Sequence, residues 1–548
     1  MFPNSRGYLH PFLNGRTYLY GVGELPRTLT ELAMCKFSAR IRSSDNWWLN
    51  IHQHTFRDHW IVEGTTSIHT VLTSSGKTNV TLSRRQVEYV LDELINYASL
   101  REPDKNCEVS CFDRIWQTIE PIPLDFKLPL EDTPSTPVPE GEYPQTHIDI
   151  IDPCAYPLVY GRTLQLTDDK TLKATSIPQA WYYAFSTRFS YLPTAFAISN
   201  ASQPCLATAL GYINGAPLSM PEVSEDVAHI LTRAIPLFEN VLTDLHRDNP
   251  LRHRIPGACK HEDWDQLDGS ERSDDAEGRS DYDEEHHWSS DRPAVQNEPD
   301  IPREGYLDGL TSRSTRIHLR GKTVNVVVRM TQIRLQPDCP VQGSSPWHAE
   351  GMVNEHIIAC AYTCVAARNI HPLSLSYRMA VQAPVNIVPG DVGATMRTWG
   401  LQDGAPSHQY LGRSSLSPGR IAAYPNIYQT QISGTALVDP TQEGSATLLG
   451  LYLVDPDFPG GDGDGEILTT SSVPHQDVRW LHKALGDYVD IRIPLEIIDK
   501  IAAEVDWLMS EDEYKECAAK MRREREAFCH THDQLWFSVP FSGWKDQL

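Results

Sequence analysis

Five stretches in the second half of the chain read as short strands, with Gly, Pro and Asp turns between them. They are 321–336 (GKTVNVVVRMTQIRLQ), 356–365 (HIIACAYTCV), 373–381, 426–438 and 447–454 (TLLGLYLV). The first of them is rich in β-branched residues, and such side chains suit a pleated surface. Successive short strands without helices between them point to a sandwich or jelly roll, one sheet packed on another. The stretch 321–336 mostly alternates and is expected to be half exposed. A helix over 511–528 closes the region, with Ser510 and Glu513 as its capping box and Met509 and Tyr514 as a hydrophobic staple.

The first half has a different period. Residues 83–98 (SRRQVEYVLDELINYA) place Val87, Val90, Leu91, Leu94, Ile95 and Ala98 on one helical face, behind a capping box of Ser83 and Gln86. A second helix is expected over 224–245, interrupted or kinked near Pro236. Between the halves, residues 261–300 carry 15 Asp/Glu against 3 Arg, a net −12 that is half of the chain's −24. So few aliphatic residues cannot offset the entropy of ordering, and a disordered insertion is expected. The Pro-rich stretch 130–146 reads as an extended connector. The fold class that follows is α+β. It has a mixed, helical and irregular N-terminal region (1–255), an acidic insertion (256–308), and a jelly-roll-like, double-stranded β-helix core with a C-terminal helix (309–548).

Composition narrows the setting. No apolar run reaches the roughly 18–20 residues that cross a bilayer, and the N-terminus shows no apolar signal region. The 11 cysteines form no C-x-x-C pair and suit buried, reduced thiols, Cys107/Cys111 and Cys360/Cys364 included. A cytoplasmic protein without membrane partners is expected.

The densest chemistry lies in 344–364 (SSPWHAEGMVNEHIIACAYTC). His348 and Glu350 stand two apart at the mouth of an apolar strand, and alternation puts them on one side. A non-haem iron oxygenase needs such a pair plus a second histidine, with a basic side chain for a 2-oxoglutarate co-substrate. A structural role, as a satisfied core histidine with two paired carboxylates, is the plain alternative.

The run WHAEGMVNEHIIACAY (347–362) resembles the W-H-x-E-G-x-x-N-E-x-I block of a fungal family of unknown function with a jelly-roll-like C-terminal half. The resemblance extends to 422–456, 469–474 and 508–528, and more loosely to 31–60 and 189–198. Oxygenase-like relatives carry a histidine and an arginine where this chain has Thr430 and Gln431, and again where it has Ser445 and Ala446. An iron site is therefore not expected, and the cofactor expectation is none. Similar fungal proteins include the arginine-containing cyclodipeptide synthases. That resemblance implies an enzyme that joins arginine and a second amino acid from aminoacyl-tRNA. Such chemistry needs proton transfer, a carboxylate for a guanidinium and donors to an oxyanion. His348 is expected to move protons, Glu350 or Glu355 to hold the guanidinium, and Asn354 to face the oxyanion, with Trp347, Gln429 and Thr430 around the substrate. The alternatives are an iron/2-oxoglutarate-type oxygenase with a degenerate site, and a non-catalytic binding relative.

A tRNA partner requires positive surface. Arg313, Arg316, Arg320 and Lys322 follow the acidic stretch and are expected on an exposed strand edge, as phosphate contacts or as guards against aggregation. The pairs His52/His54 and His530/His532 have ligand-like spacing but no evident third ligand. The Asp/Gly run 458–467 reads as a hairpin tip, and the Gly-containing stretch 20–25 lacks the context of a nucleotide loop.

Overall fold

The computed structural model describes residues 7–12, 23–124, 147–167, 169–179, 183–200, 205–220, 222–250, 252–256, 299–385, 391–458, 467–488 and 494–543. The Pro-rich connector, residues 257–298 of the acidic stretch and 459–466 of the Asp/Gly run lie outside them.

Helices and antiparallel sheets are mixed, as the α+β reading requires. The helices used below are α1 (Leu29–Arg42), α2 (Arg84–Ser99), α3 (Val223–Leu245) and α4 (Glu511–His532). The strands are β1 (His69–Thr73), β2 (Gly76–Val80), β3 (Glu108–Val109), β4 (Trp116–Gln117), β5 (His147–Ile151), β6 (Thr194–Ile198), β7 (Ala207–Ala209), β8 (Thr323–Leu335), β9 (Ile357–Arg368), β10 (Leu373–Ala380), β11 (His408–Leu416), β12 (Ile421–Pro425), β13 (Gln429–Ile432) and β14 (Gly444–Val454). The larger sheet runs β7-β6-β8-β14-β9-β12-β4-β3, with β5 also paired to β8; the smaller runs β13-β10-β11-β1-β2. Both sheets draw strands from either side of the acidic stretch. Residues 299–308, which composition assigns to that stretch, pack down onto α2: Ile301 is buried, and Tyr306 Oη donates to Asn96 Oδ1 at 2.9 Å.

The larger sheet is covered on both faces, which corrects the half-exposed reading of 321–336. On β8, Val324, Val326, Val328 and Met330 join the core built with Leu231, Phe238 and Leu242 of α3. Val327, Ile333 and Leu335 point the other way, into a core shared with Leu375, Tyr377 and Met379 of the smaller sheet. Central strands lose alternation because both faces meet apolar layers. Each fully buried aliphatic side chain stabilises by about 2 kcal/mol.

Local signals hold where they depend on near neighbours. Ser83 and Gln86 make both halves of the capping box of α2. Ser510 Oγ accepts from Glu513 N at 3.2 Å, but the Glu513 carboxylate pairs with Arg162 at 2.7 Å instead of reaching back. Two helix expectations change. Ile95 is exposed while Tyr89, Glu93 and Tyr97 are buried, because α2 meets a polar cluster as well as the apolar core. The helix α3 continues from Val223 to Leu245 through Pro236 rather than being interrupted. The ten described cysteines are free thiols, and no described helix is long and apolar enough to cross a membrane.

Candidate active site

The inner face of the larger sheet carries a polar stripe in its apolar core. Register sets it: Arg329 of β8 lies opposite Gly450 of β14, which lies opposite Tyr362 of β9. One row on, Val327, Tyr452 and Cys360 align in the same way, and Tyr424 of β12 pairs with Cys360. Gly450 makes the stripe possible. A Cβ there would meet Tyr452 Cε1 and Oη at 3.0 Å and Tyr362 Cε1 at 3.1 Å, so two phenol rings close over the bare backbone.

The loop 347–356 brings His348 and Glu350 onto this stripe, and two anchors hold it. His348 pairs with Thr430 of β13 through N–H···O contacts of 3.2 and 2.9 Å. Asn426, wholly buried, accepts from Glu350 N at 2.8 Å and donates to the carbonyls of Glu350 and Ile357, each at 2.9 Å. A single amide thus clips both ends of the loop. Loss of either contact would strand buried backbone groups.

Within the site, Glu350 Oε1 lies 3.2 Å from His348 Nε2 and accepts from Tyr362 Oη at 2.8 Å. Tyr362 spends its proton on Glu350, so the 2.7 Å contact with Tyr452 Oη makes Tyr452 the donor. Burial pushes both phenols far up, and they stay protonated. His348 Nδ1 lies 3.0 Å from the Pro346 carbonyl. With an acceptor at each ring nitrogen, both nitrogens must donate, and the ring is an imidazolium. Burial works against that charge, but the Glu350 carboxylate outweighs it and raises His348 above 6.5. Burial likewise opposes the Glu350 charge, and His348 more than compensates, bringing Glu350 to about 2. Exposure grows along the stripe: Tyr452 is fully buried, and the side chains of Glu350, His348 and Arg329 are 5%, 21% and 39% exposed. Arg329 lies 3.4 Å from Asp149 Oδ1, which also accepts from Thr331 Oγ1 at 2.8 Å.

The other expected site residues divide. Thr430 belongs with His348, and its hydroxyl lies 3.3 Å from Tyr424 Oη. Trp347 and Gln429, each one residue away, meet Arg378: the guanidinium lies 4.8 Å from the Trp347 ring centre, and Nε donates to Gln429 Oε1 at 2.7 Å. Asn354 holds the 183–188 segment, donating to Ser186 O (2.7 Å) and Tyr160 Oη (3.0 Å) and accepting from Ser186 N (2.7 Å). Glu355 pairs with Arg525 of α4 and accepts from Met352 N and Tyr191 N at 2.6 and 3.0 Å. Both carboxylate oxygens are committed, so Glu355 has no place for a substrate guanidinium, and Asn354 has no spare donor for an oxyanion.

The basic run is not a strand edge. Residues 313–321 are irregular and precede β8. Arg313 Nε donates to Asp244 at 2.6 Å beside the Trp116 ring, and Lys322 pairs with Asp457 at 3.3 Å; Arg316 is exposed and Arg320 half-buried. His52, His54 and His530 are exposed, whereas His532 is buried 5.0 Å from the Phe12 ring.

An iron site of the oxygenase type does not fit these residues. Thr430 stands opposite His348, and Ala446 is buried in the apolar interior. Among the described residues no three His, Cys, Asp or Glu side chains converge as metal ligands. Arg329, Asp149, Tyr362, Tyr452 and Asn426 escaped the sequence reading. Tyr362 and Tyr452 share alternation with purely apolar neighbours, and only register brings them to one point.

Comparisons with known proteins bear on identity. A search of the curated proteins finds no match. Among solved structures, the chain is similar to IDO from Bacillus thuringiensis (10% identity, 24% of this chain and 46% of that one, TM-score 0.16). It is also similar to the Fe(II)/α-ketoglutarate-dependent dioxygenase TqaL (12% identity, 29% and 51%, TM-score 0.17) and to a bsmA homolog from Methylobium petroleophilum (8% identity, 26% and 46%, TM-score 0.15). The chain spans about half the length of each. The family model described as "Protein of unknown function (DUF4246)" matches residues 85–484. That is 484 − 85 + 1 = 400 of 548 residues, and the chain belongs to the DUF4246 family.

Proposed function

We propose that this chain is an arginine-containing cyclodipeptide synthase on a jelly-roll-like core, joining arginine and a second amino acid, both delivered as aminoacyl-tRNA. The observation that supports it most is the His348–Glu350–Tyr362–Tyr452 chain, a proton-handling line closed at its inner end and open at His348. In each of two acyl transfers, the α-amine of one aminoacyl group attacks the ester carbonyl carbon of the other. A C–N bond forms, the C–O bond to the tRNA 3′ oxygen breaks, and one proton passes from the amine to that oxygen. The second transfer closes the ring. His348 delivers its Nδ1 proton, released from the exposed Pro346 carbonyl, to the departing oxygen and recovers one from the amine, while Glu350 on Nε2 holds the ring in place. Arg329, the most exposed cation of the stripe, stabilises the tetrahedral oxyanion. Asp149, beside it, takes the guanidinium role that Glu355 cannot fill. Arg316 and Lys322 are the members of the basic run best exposed to meet phosphates. A cytoplasmic setting, with charged tRNA at hand, completes the reading.

The test is mass spectrometry of products from purified protein supplied with arginyl-tRNA and total charged tRNA. A cyclic arginine-containing dipeptide, lost in His348→Ala, is the expected result. No such product from intact charged tRNA overturns the reading. Succinate formation with one bound iron per chain would favour the oxygenase alternative instead.

A further inference from the structure

A second polar site shares no residue with the His348 cluster. It is a cavity of about 600 Å3 walled by α2, the chain just after α3, and the segments 252–254 and 302–314. That volume lies in the range of small-molecule sites. Tyr89, Tyr97 and Tyr306 give it aromatic walls, with Tyr89 and Tyr306 edge to face at 5.4 Å.

Most of the charge around it is cancelled from within the fold. Arg114 donates to Glu24 at 2.8 Å, Arg254 to Glu93 at 2.9 and 3.0 Å, and Arg313 to Asp244 at 2.6 Å, while Asp113 accepts from Arg27 at 2.7 Å. Two wall charges are left over. Arg252 donates to Ser312 Oγ at 2.9 Å, and its Nη1 rests over Gly309, where a Cβ would come within 2.8 Å. Among the described residues no carboxylate pairs with it. Asp248, 65% exposed, faces the His246 imidazole at 3.5 Å and the Thr315 hydroxyl at 3.3 Å. Arg254 adds no free charge: it is 5% exposed, and its buried Nη1 faces the Glu31 and Asp113 carboxylates at 3.6 and 3.7 Å.

We infer that this cavity binds a zwitterion of amino-acid or dipeptide size, its carboxylate on Arg252, its ammonium on Asp248, and its side chain against the tyrosines. A simple anion would leave Asp248 uncompensated beside it, and a simple cation would leave Arg252 so. An uncharged apolar ligand would cover both charges and pair neither, which is costly. A guanidinium seated on a glycine shelf presents the fork geometry that a carboxylate matches. The inference stands independently of the function proposed for the His348 cluster.

Calorimetric titration of the full-length protein tests it. The probes are L-leucine and L-arginine, their carboxyl-free counterparts isoamylamine and agmatine, and their N-acetyl forms. At least one free amino acid should bind, and removing either charged end should weaken it about tenfold or more. Arg252→Ala and Asp248→Asn should each weaken it about tenfold without moving the thermal transition, as both side chains are at the surface. His348→Ala should leave binding unchanged. Failure of both amino acids to bind at millimolar concentration overturns the inference. So does agmatine binding as well as arginine, indifference to both wall variants, or loss of binding in His348→Ala. Binding without cyclic dipeptide formation sinks only the proposed activity.

Discussion

His348 sits between a backbone carbonyl and a carboxylate, and that placement fixes its charge before any substrate arrives. The pair has a defined pH window. Raised above 6.5, His348 contributes stability that is fully present below that value and is lost as pH rises through its folded value. Glu350, lowered from 4.5 to about 2, contributes stability present above 4.5 and lost as pH falls towards 2. The melting-temperature difference between wild type and Glu350→Gln should therefore be largest between pH 4.5 and 6.5 and shrink on either side. Within that window Glu350→Gln should cost about 2–3 kcal/mol, the range for a charged hydrogen bond, by denaturant titration. The same variant should lower the rate of cyclic dipeptide formation by about 100-fold, since general acid–base groups supply factors of this order. An NMR titration that finds His348 neutral at pH 6 would remove the basis of both expectations.

At the scale of elements, the site depends on how strands and helices are spaced. On β14, Gly450→Ala should push the Tyr452 and Tyr362 rings apart and cost about 1–3 kcal/mol, as overpacking does. Its larger effect should fall on turnover, because Tyr362 can no longer hold Glu350; an undiminished rate would disconnect the phenol pair from the chemistry. On α4, Arg525 pins the 353–355 turn by pairing with Glu355 inside the fold. Arg525→Met should destabilise by about 3–5 kcal/mol, the cost of leaving a buried carboxylate alone. Adding Glu355→Gln should recover part of that loss in a double-mutant cycle.

The whole molecule is one arrangement of interleaved segments: a helical layer, a large sheet and a smaller sheet, with the polar stripe between the sheets. From β11 to β14 successive strands alternate between the two sheets, and β11 pairs with β1 from the far end of the chain, so neither sheet closes until distant parts of the sequence have met. Charge acts on this same scale. Removing residues 261–298 should strengthen tRNA binding at low salt in filter-binding assays, with the gain fading as salt screens the field. Unchanged affinity at low salt would separate the acidic stretch from any role in tRNA binding.

What the sequence determined by itself is local. The capping box of α2, the start of α4, the strands expected within 321–336 and 447–454 and the junction of His348 with Glu350 all follow from residues within a few positions of one another. Tertiary structure decided the rest. Glu355 and Asn354 share the loop of Glu350, yet their partners, Arg525 and Ser186, come from 170 and 168 residues away. Arg329, Gly450 and Tyr362 form a row only through strand register, a property of pairing between distant segments that side-chain pattern alone does not encode.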